Sequence, residues 1–188
     1  MRLTEQVHLE LERSVRSGDT VIDATAGNGH DTLAMAELVG ASGKVFTVDL
    51  QEAAIESTRS RLEAAGQLNQ CELILGDHAE VLRTLLEQGI ASAAITFNLG
   101  YLPGAAKATT TTPTTTLRAL EAARALIRPG GMIMVTAYRG HAGGMDEATE
   151  VAAWMCALPS DLWKVKANEP PIRQPDRMPP ILWLASRR

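Results

Sequence analysis

Val21-Ile22-Asp23-Ala24-Thr25-Ala26-Gly27-Asn28-Gly29-His30-Asp31-Thr32 decides the fold: a short apolar strand passes through a glycine turn into the opening of a helix. Two glycines one residue apart let the backbone turn sharply, where a Cβ would crowd both the turn and a molecule lying against it. A strand that enters a helix this way is the first unit of an α/β nucleotide-binding sheet, and its ligand rests on bare backbone.

The next units carry the same message. Lys44-Val45-Phe46-Thr47-Val48-Asp49 ends in an acid twenty residues after Gly29, where such a unit places the carboxylate that bonds two ribose hydroxyls. Asp49 has a second reading, as the cap of the helix that follows. Cys71-Glu72-Leu73-Ile74-Leu75 runs into Gly76-Asp77-His78, again polar at the carboxyl edge. Thr32 stands where a dinucleotide turn requires its third glycine, which argues against NAD. S-adenosylmethionine (SAM), which has no pyrophosphate, fits better: Asp49 for its ribose, Asp77 for its adenine amino group, and the Gly27 to Gly29 turn for its methionyl part. Thr25, Asn28, Asp31, Thr32, Gln51, His78 and Asn98 are the further cofactor-binding candidates, Asp31 facing the ammonium group.

The fourth strand supplies the chemistry. Ala93-Ala94-Ile95-Thr96-Phe97 leads into Asn98-Leu99-Gly100-Tyr101-Leu102-Pro103-Gly104, which resembles the Asn-Pro-Pro-Tyr loop of SAM-dependent amino methyltransferases. That resemblance implies three catalytic groups: the Asn98 amide and the Leu99 carbonyl as acceptors for the target nitrogen, and Tyr101 as a ring packed on the flat group that carries it. The plain alternative is a turn with Tyr101 in the core. Asp31 and His141 are candidates for proton removal or substrate contact, and Gly100 belongs to the substrate side.

Four segments together resemble one bacterial family. They are Asp-Ala-Thr-x-Gly-Asn-Gly-x-Asp-Thr-Leu at Asp23 to Leu33, Phe97 to Gly104 with Lys107 behind it, Thr114-Thr115, and Tyr138-x-Gly140-His141. The family is labelled rRNA methylase, and its members are similar to the methyltransferase that acts on the amine of 5-aminomethyl-2-thiouridine at the tRNA wobble position. The resemblance implies a doubly wound, Rossmann-like α/β sheet of the class I SAM-dependent type, with about seven strands and a C-terminal antiparallel pair. It also implies SAM as cofactor, the tRNA anticodon stem-loop as partner and a homodimer. Trp163 and Trp183, on the edge pair, are expected to be large apolar side chains that a second copy would hide.

Organisation along the chain agrees with a single domain over residues 1–188. An amphipathic entry helix is predicted over 3–16, from Leu3, Val7, Leu11 and Val15. Strands follow over 20–24, 44–49, 71–75, 92–97 and 131–137, then a pair over 162–167 and 181–186; helices fill 30–39, 51–65, 78–87, 114–127 and 145–158. The threonines from Thr109 to Thr116 read as a loop capping a helix N-terminus, with contact to an RNA phosphate as the sharper alternative. Cys71 and Cys156 are too few and too far apart for a disulfide framework or a metal site, and both are expected as buried thiols. No apolar run approaches the roughly 20 residues that span a bilayer, and acids stand where a signal peptide is apolar, so a cytoplasmic location is expected.

Charge is divided unevenly. Residues 1–100 hold 7 Lys and Arg against 15 Asp and Glu, whereas residues 101–188 hold 11 against 7. The second half supplies most of the substrate side of such a fold, so Lys107, Arg139, Arg173 and Arg177 are the candidates for meeting RNA. An rRNA substrate would change only the docking surface, a small-molecule amine would not need the basic half, and a non-catalytic SAM-binding subunit would have little use for Asn98. An NAD-dependent oxidoreductase would leave the Asn98 to Tyr101 loop unexplained.

Overall fold

The computed structural model describes residues 2–100, 111–171 and 178–188. Chain order is α1 (Leu3–Ser14), β1 (Thr20–Asp23), α2 (His30–Val39), β2 (Lys44–Asp49), α3 (Glu52–Ala64), β3 (Cys71–Leu75), α4 (His78–Glu87), β4 (Ser92–Leu99), α5 (Pro113–Leu126), β5 (Ile127–Ala137), α6 (Gly144–Ala157), β6 (Trp163–Asn168) and β7 (Ile181–Arg187). These strands form a seven-stranded sheet in the order β3-β2-β1-β4-β5-β7-β6. β1 to β5 run parallel, while β7 is antiparallel to both β5 and β6.

Burial explains the order. β4 carries Ala93, Ala94, Ile95, Phe97 and Leu99 and is buried along nearly its whole length, as a central parallel strand covered on both faces must be. Of the edge strands, β6 is largely exposed, with Lys164, Lys166 and Asn168 facing solvent, while β3 is half-buried and exposed at Glu72 and Leu75. Two apolar layers flank the sheet. Val7, Leu11 and Val15 join Val21, Met35, Val39 and Met134 on one face, while Ile22, Phe97, Leu120, Leu126 and Met155 share the other.

Three expectations are corrected. β5 begins at Ile127, directly after α5, rather than near residue 131: Ser92 pairs with Ile127 and Ala94 with Met132, so Arg128 to Gly131 bulge from the ladder. Gly131 permits this, because a Cβ there would lie 2.8 Å from the Ala93 carbonyl oxygen. Trp163 is buried and Trp183 half-buried against the core, so neither is the exposed apolar side chain expected at an edge. Cys71 is half-buried and Cys156 exposed; both are free. Among the threonines, Thr112 caps α5 with Pro113 in its first turn, while Thr111 and Thr116 donate to the buried Glu147 carboxylate at 2.7 and 2.6 Å. Those hydroxyls serve the fold, and Thr109 and Thr110 lie outside the described residues. No described helix is long and apolar enough to cross a membrane.

The strand order reverses between β1 and β4. Open α/β sheets bind their ligands in the crevice outside the strand ends at this point, and here it places Asp23 and Thr25 beside Asn98.

Candidate active site

The glycine turn is braced from below. Gly27 and Gly29 have φ of 54° and 74°, the left-handed region that favours glycine. A Cβ on Gly29 would lie 2.9 Å from the Thr58 Cα, so this glycine makes room for α3 rather than for a ligand. Thr58 donates to the Gly27 carbonyl at 3.4 Å, Ser57 to the Asn28 side-chain oxygen at 3.4 Å, and the Arg61 Nε to the Asn28 carbonyl at 2.6 Å. One face of α3 thus fixes the outward acceptors of the turn.

Asp49 closes the other side. Its Oδ2 accepts from the Gly27 N–H and its Oδ1 from the Gln51 N–H, both at 2.9 Å, while Gln51 itself is the N-cap of α3. Asp49 therefore ties two turns together. Beyond it, Leu50 and Leu75 are each 56% exposed at the ends of adjacent strands, an apolar surface open to a flat base. Asp77 caps α4 through Oδ1, which accepts from Ala79 N at 2.8 Å and Glu80 N at 3.4 Å. A carboxylate at the end of one strand, an apolar wall and a second carboxylate at the end of the next are the groups that suit the adenosine of SAM.

Two cofactor candidates point inward instead. Thr32 is fully buried and donates to Asp23 at 2.6 Å, so it braces the turn from inside. His78 is also buried, its ring edge-on to Phe97 at 5.9 Å between centroids, and burial lowers its pKa. It is a neutral imidazole in the core.

Asp23 lies fully buried under the crevice, accepting from Thr25 N, Thr32 Oγ1 and Thr96 Oγ1. Burial, followed by the nearby Asp31 charge, pushes its carboxyl up to about 7, and the Thr32 bond opposes this. A carboxyl raised on folding stabilises the folded state fully below its unfolded pKa, and that stability is lost as pH rises through the folded value. Asp23→Asn is accordingly expected to raise Tm relative to the parent at pH 8 and to gain much less at pH 5. Thermal unfolding at the two pH values checks this, and an equal shift at both would mean that Asp23 is not the titrating group.

At the end of β4 the structure brings three predicted residues together. Thr25 accepts from the Asn98 N–H at 2.6 Å, and the Asn98 side-chain Nδ2 donates to Asp31 Oδ2 at 2.8 Å. A carboxylate can only accept here, so the amide must present its nitrogen to Asp31 and its oxygen to the opposite side. Asn98 is thereby an oriented acceptor. His8, which sequence reasoning missed, meets the other Asp31 oxygen at 2.8 Å, and this bond raises its pKa. His141 lies over Gly100: a Cβ on Gly100 would be 3.5 Å from its Nε2. Tyr138 is 43% exposed at the same rim.

Leu99 is buried and its carbonyl accepts the Tyr138 N–H at 3.1 Å, a continuation of the β4–β5 ladder that occupies one of that oxygen's two lone pairs. One expectation fails at this mouth. The Arg139 side chain is only 7% exposed; its Nε donates to the Pro179 carbonyl at 2.8 Å and its Nη2 pairs with Glu169 at 2.6 Å. It staples the end of β5 to the β6–β7 connection instead of facing a substrate. Gly100 accepts the Thr111 N–H at 3.4 Å through its carbonyl oxygen. Tyr101, Lys107, Arg173 and Arg177 lie outside the described residues. Among the described residues no group of His, Cys, Asp and Glu could hold a metal ion.

Comparison with known proteins places these features in a family. Residues 45–185 match the model of the family described as "Putative rRNA methylase". A curated relative, the chloroplastic tRNA (mnm(5)s(2)U34)-methyltransferase of Arabidopsis thaliana, is 40% identical over 169 residues, which is 86% of this chain and 62% of that protein. The chain thus spans somewhat under two thirds of that relative's length. A Clostridium thermocellum structure described as a "putative rRNA-methylase" superposes with a TM-score of 0.91 at 34% identity, covering 98% of this chain and 97% of that one. A methyltransferase from Streptococcus mutans in complex with S-adenosylhomocysteine (SAH) gives 0.87 at 30% identity, covering 100% and 99%.

Proposed function

We propose, because this chain belongs to the rRNA methylase family, that it is a SAM-dependent methyltransferase acting on the primary amine of 5-aminomethyluridine at the wobble position of tRNA. The observation that carries the reading is the oriented Asn98 amide, whose oxygen is turned outward at the strand reversal by Asp31. SAM supplies an electrophilic methyl group on a sulfonium. Everything else is asked of the chain.

An alkylamine is protonated at neutral pH, and removing its proton costs on the order of 4 kcal/mol when its pKa lies about three units above the medium. Only the neutral amine has a lone pair to attack. The Asn98 oxygen accepts one amine N–H and so aims the lone pair, while a partly apolar mouth disfavours the ammonium. His141, poised over Gly100, is placed to take the released proton or to touch the base. The choice of tRNA rests on the Arabidopsis relative and on the amine chemistry; Arg139, internally paired, does not support it. Self-association is retained as a proposal resting on the open backbone edge of β6, and a cytoplasmic location is retained likewise.

The test incubates the protein and SAM with tRNA bearing 5-aminomethyl-2-thiouridine, with matched tRNA lacking the amine and with rRNA, and weighs the nucleosides by mass spectrometry. A gain of one methyl group on the amine-bearing nucleoside alone is expected. Methylation of rRNA with none of the wobble nucleoside would replace this reading with its closest alternative.

A further inference from the structure

Asp31 opens α2 with 7% of its surface exposed, and both of its carboxylate oxygens are engaged. Oδ2 receives Nδ2 of Asn98 and Oδ1 meets Nε2 of His8, each at 2.8 Å. His8 belongs to α1, a helix whose inward residues Val7 and Leu11, with Val15 just past its end, cover the sheet with apolar side chains. Its imidazole is one third exposed, so packing alone does not require it to turn toward the site.

Taking the site as an amine methyltransferase, we propose that His8 is a positioning residue for methyl transfer: by holding Asp31 it locks the Asn98 amide with its oxygen toward the reacting nitrogen. A carboxylate bonded at one oxygen can still swing about its own axis and carry the amide with it. Anchoring the second oxygen from a different helix fixes its plane. The Nε2–H reaches Asp31 whether the ring is neutral or protonated, and Asp31, Glu12 of α1 and Glu37 of α2 favour the protonated form. A protonated His8 also offsets the Asp31 charge, which would otherwise hold the substrate amine in its unreactive ammonium form.

Two measurements separate this role from general support and from the substrate assignment. In 15N-labelled protein saturated with SAH, the Asn98 side-chain amide is expected to exchange with water about tenfold faster in His8→Ala than in the parent, because an unanchored bond opens more often. His8→Gln, which restores an N–H donor, should return it toward the parental rate. Unchanged exchange in His8→Ala overturns the lock whatever the substrate. With amine-bearing tRNA, kcat should fall about tenfold in His8→Ala from lost alignment, with KM for SAM unchanged and most of the loss recovered by His8→Gln. In an Asp31→Ala background, His8→Ala should have no further effect, since the influence passes through Asp31. Multiplying losses in that double variant, or a parallel loss of SAM affinity, would overturn the proposal. Should His8→Ala not fold, His8→Leu keeps the bulk and removes the same bond. If the parent methylates no amine-bearing tRNA, the substrate reading fails, and the exchange measurement alone decides the lock.

Discussion

Asn98→Ala is expected to abolish methyl transfer, by at least about a hundredfold in kcat, while SAH binding stays within about twofold. On the proposed reading the amide aligns the attacking nitrogen, which matters in the transition state far more than in the ground state. Its backbone contact to Thr25 uses the main chain and survives the substitution. The proposed cofactor contacts lie at the ends of β1, β2 and β3, away from this side chain, and Asp31 keeps His8 as a partner. Asn98→Asp should fail equally for a different reason: it sets a second carboxylate against Asp31, so the pair takes up a proton or traps the substrate as ammonium. SAH calorimetry and turnover of tRNA bearing 5-aminomethyluridine measure the two effects. Parental turnover by a folded Asn98→Ala protein would mean that the reacting nitrogen is aligned elsewhere.

What was legible in the sequence was local. The glycine turn, the acid at the end of β2 and the asparagine at the end of β4 are each fixed by a strand meeting a turn, and the strand succession follows from apolar runs separated by helical periods. Pairings between distant segments left no such trace. His8 reaches Asp31 across 23 residues, and Arg139 reaches Glu169 across 30. An arginine in a basic half reads as a substrate contact until the fold shows the glutamate beside it. Leu99 shows the same limit: a resemblance can assign its carbonyl a role, but only the register of β4 against β5 reveals that Tyr138 already uses one of that oxygen's two lone pairs. The bulge at Arg128 to Gly131 was missed because Pro-Gly-Gly reads as a strand boundary, whereas here it lies within a strand.

Asp49→Ala should weaken SAM and SAH binding by more than about tenfold, since on the proposed reading it removes two charge-assisted bonds to the ribose, each contributing about 1.5 to 3 kcal/mol. The structure adds a second route to the same loss. Asp49 also accepts the Gly27 and Gln51 N–H groups, so its removal leaves two backbone donors without their partner and loosens the turn under the methionyl part. The two routes separate by ligand. Adenosine carries the ribose but no methionyl group, so a direct contact predicts that its affinity falls as far as that of SAH. Loosening of the turn alone predicts that SAH weakens and adenosine does not. Asp49→Asn sharpens the comparison, because the amide keeps one acceptor oxygen but must turn an NH2 group toward either Gly27 or Gln51. It should lie between parent and Asp49→Ala for adenosine, and close to Asp49→Ala in thermal stability. Unchanged SAH affinity in a folded Asp49→Ala protein would remove Asp49 from the cofactor site and leave it as the tie between two turns.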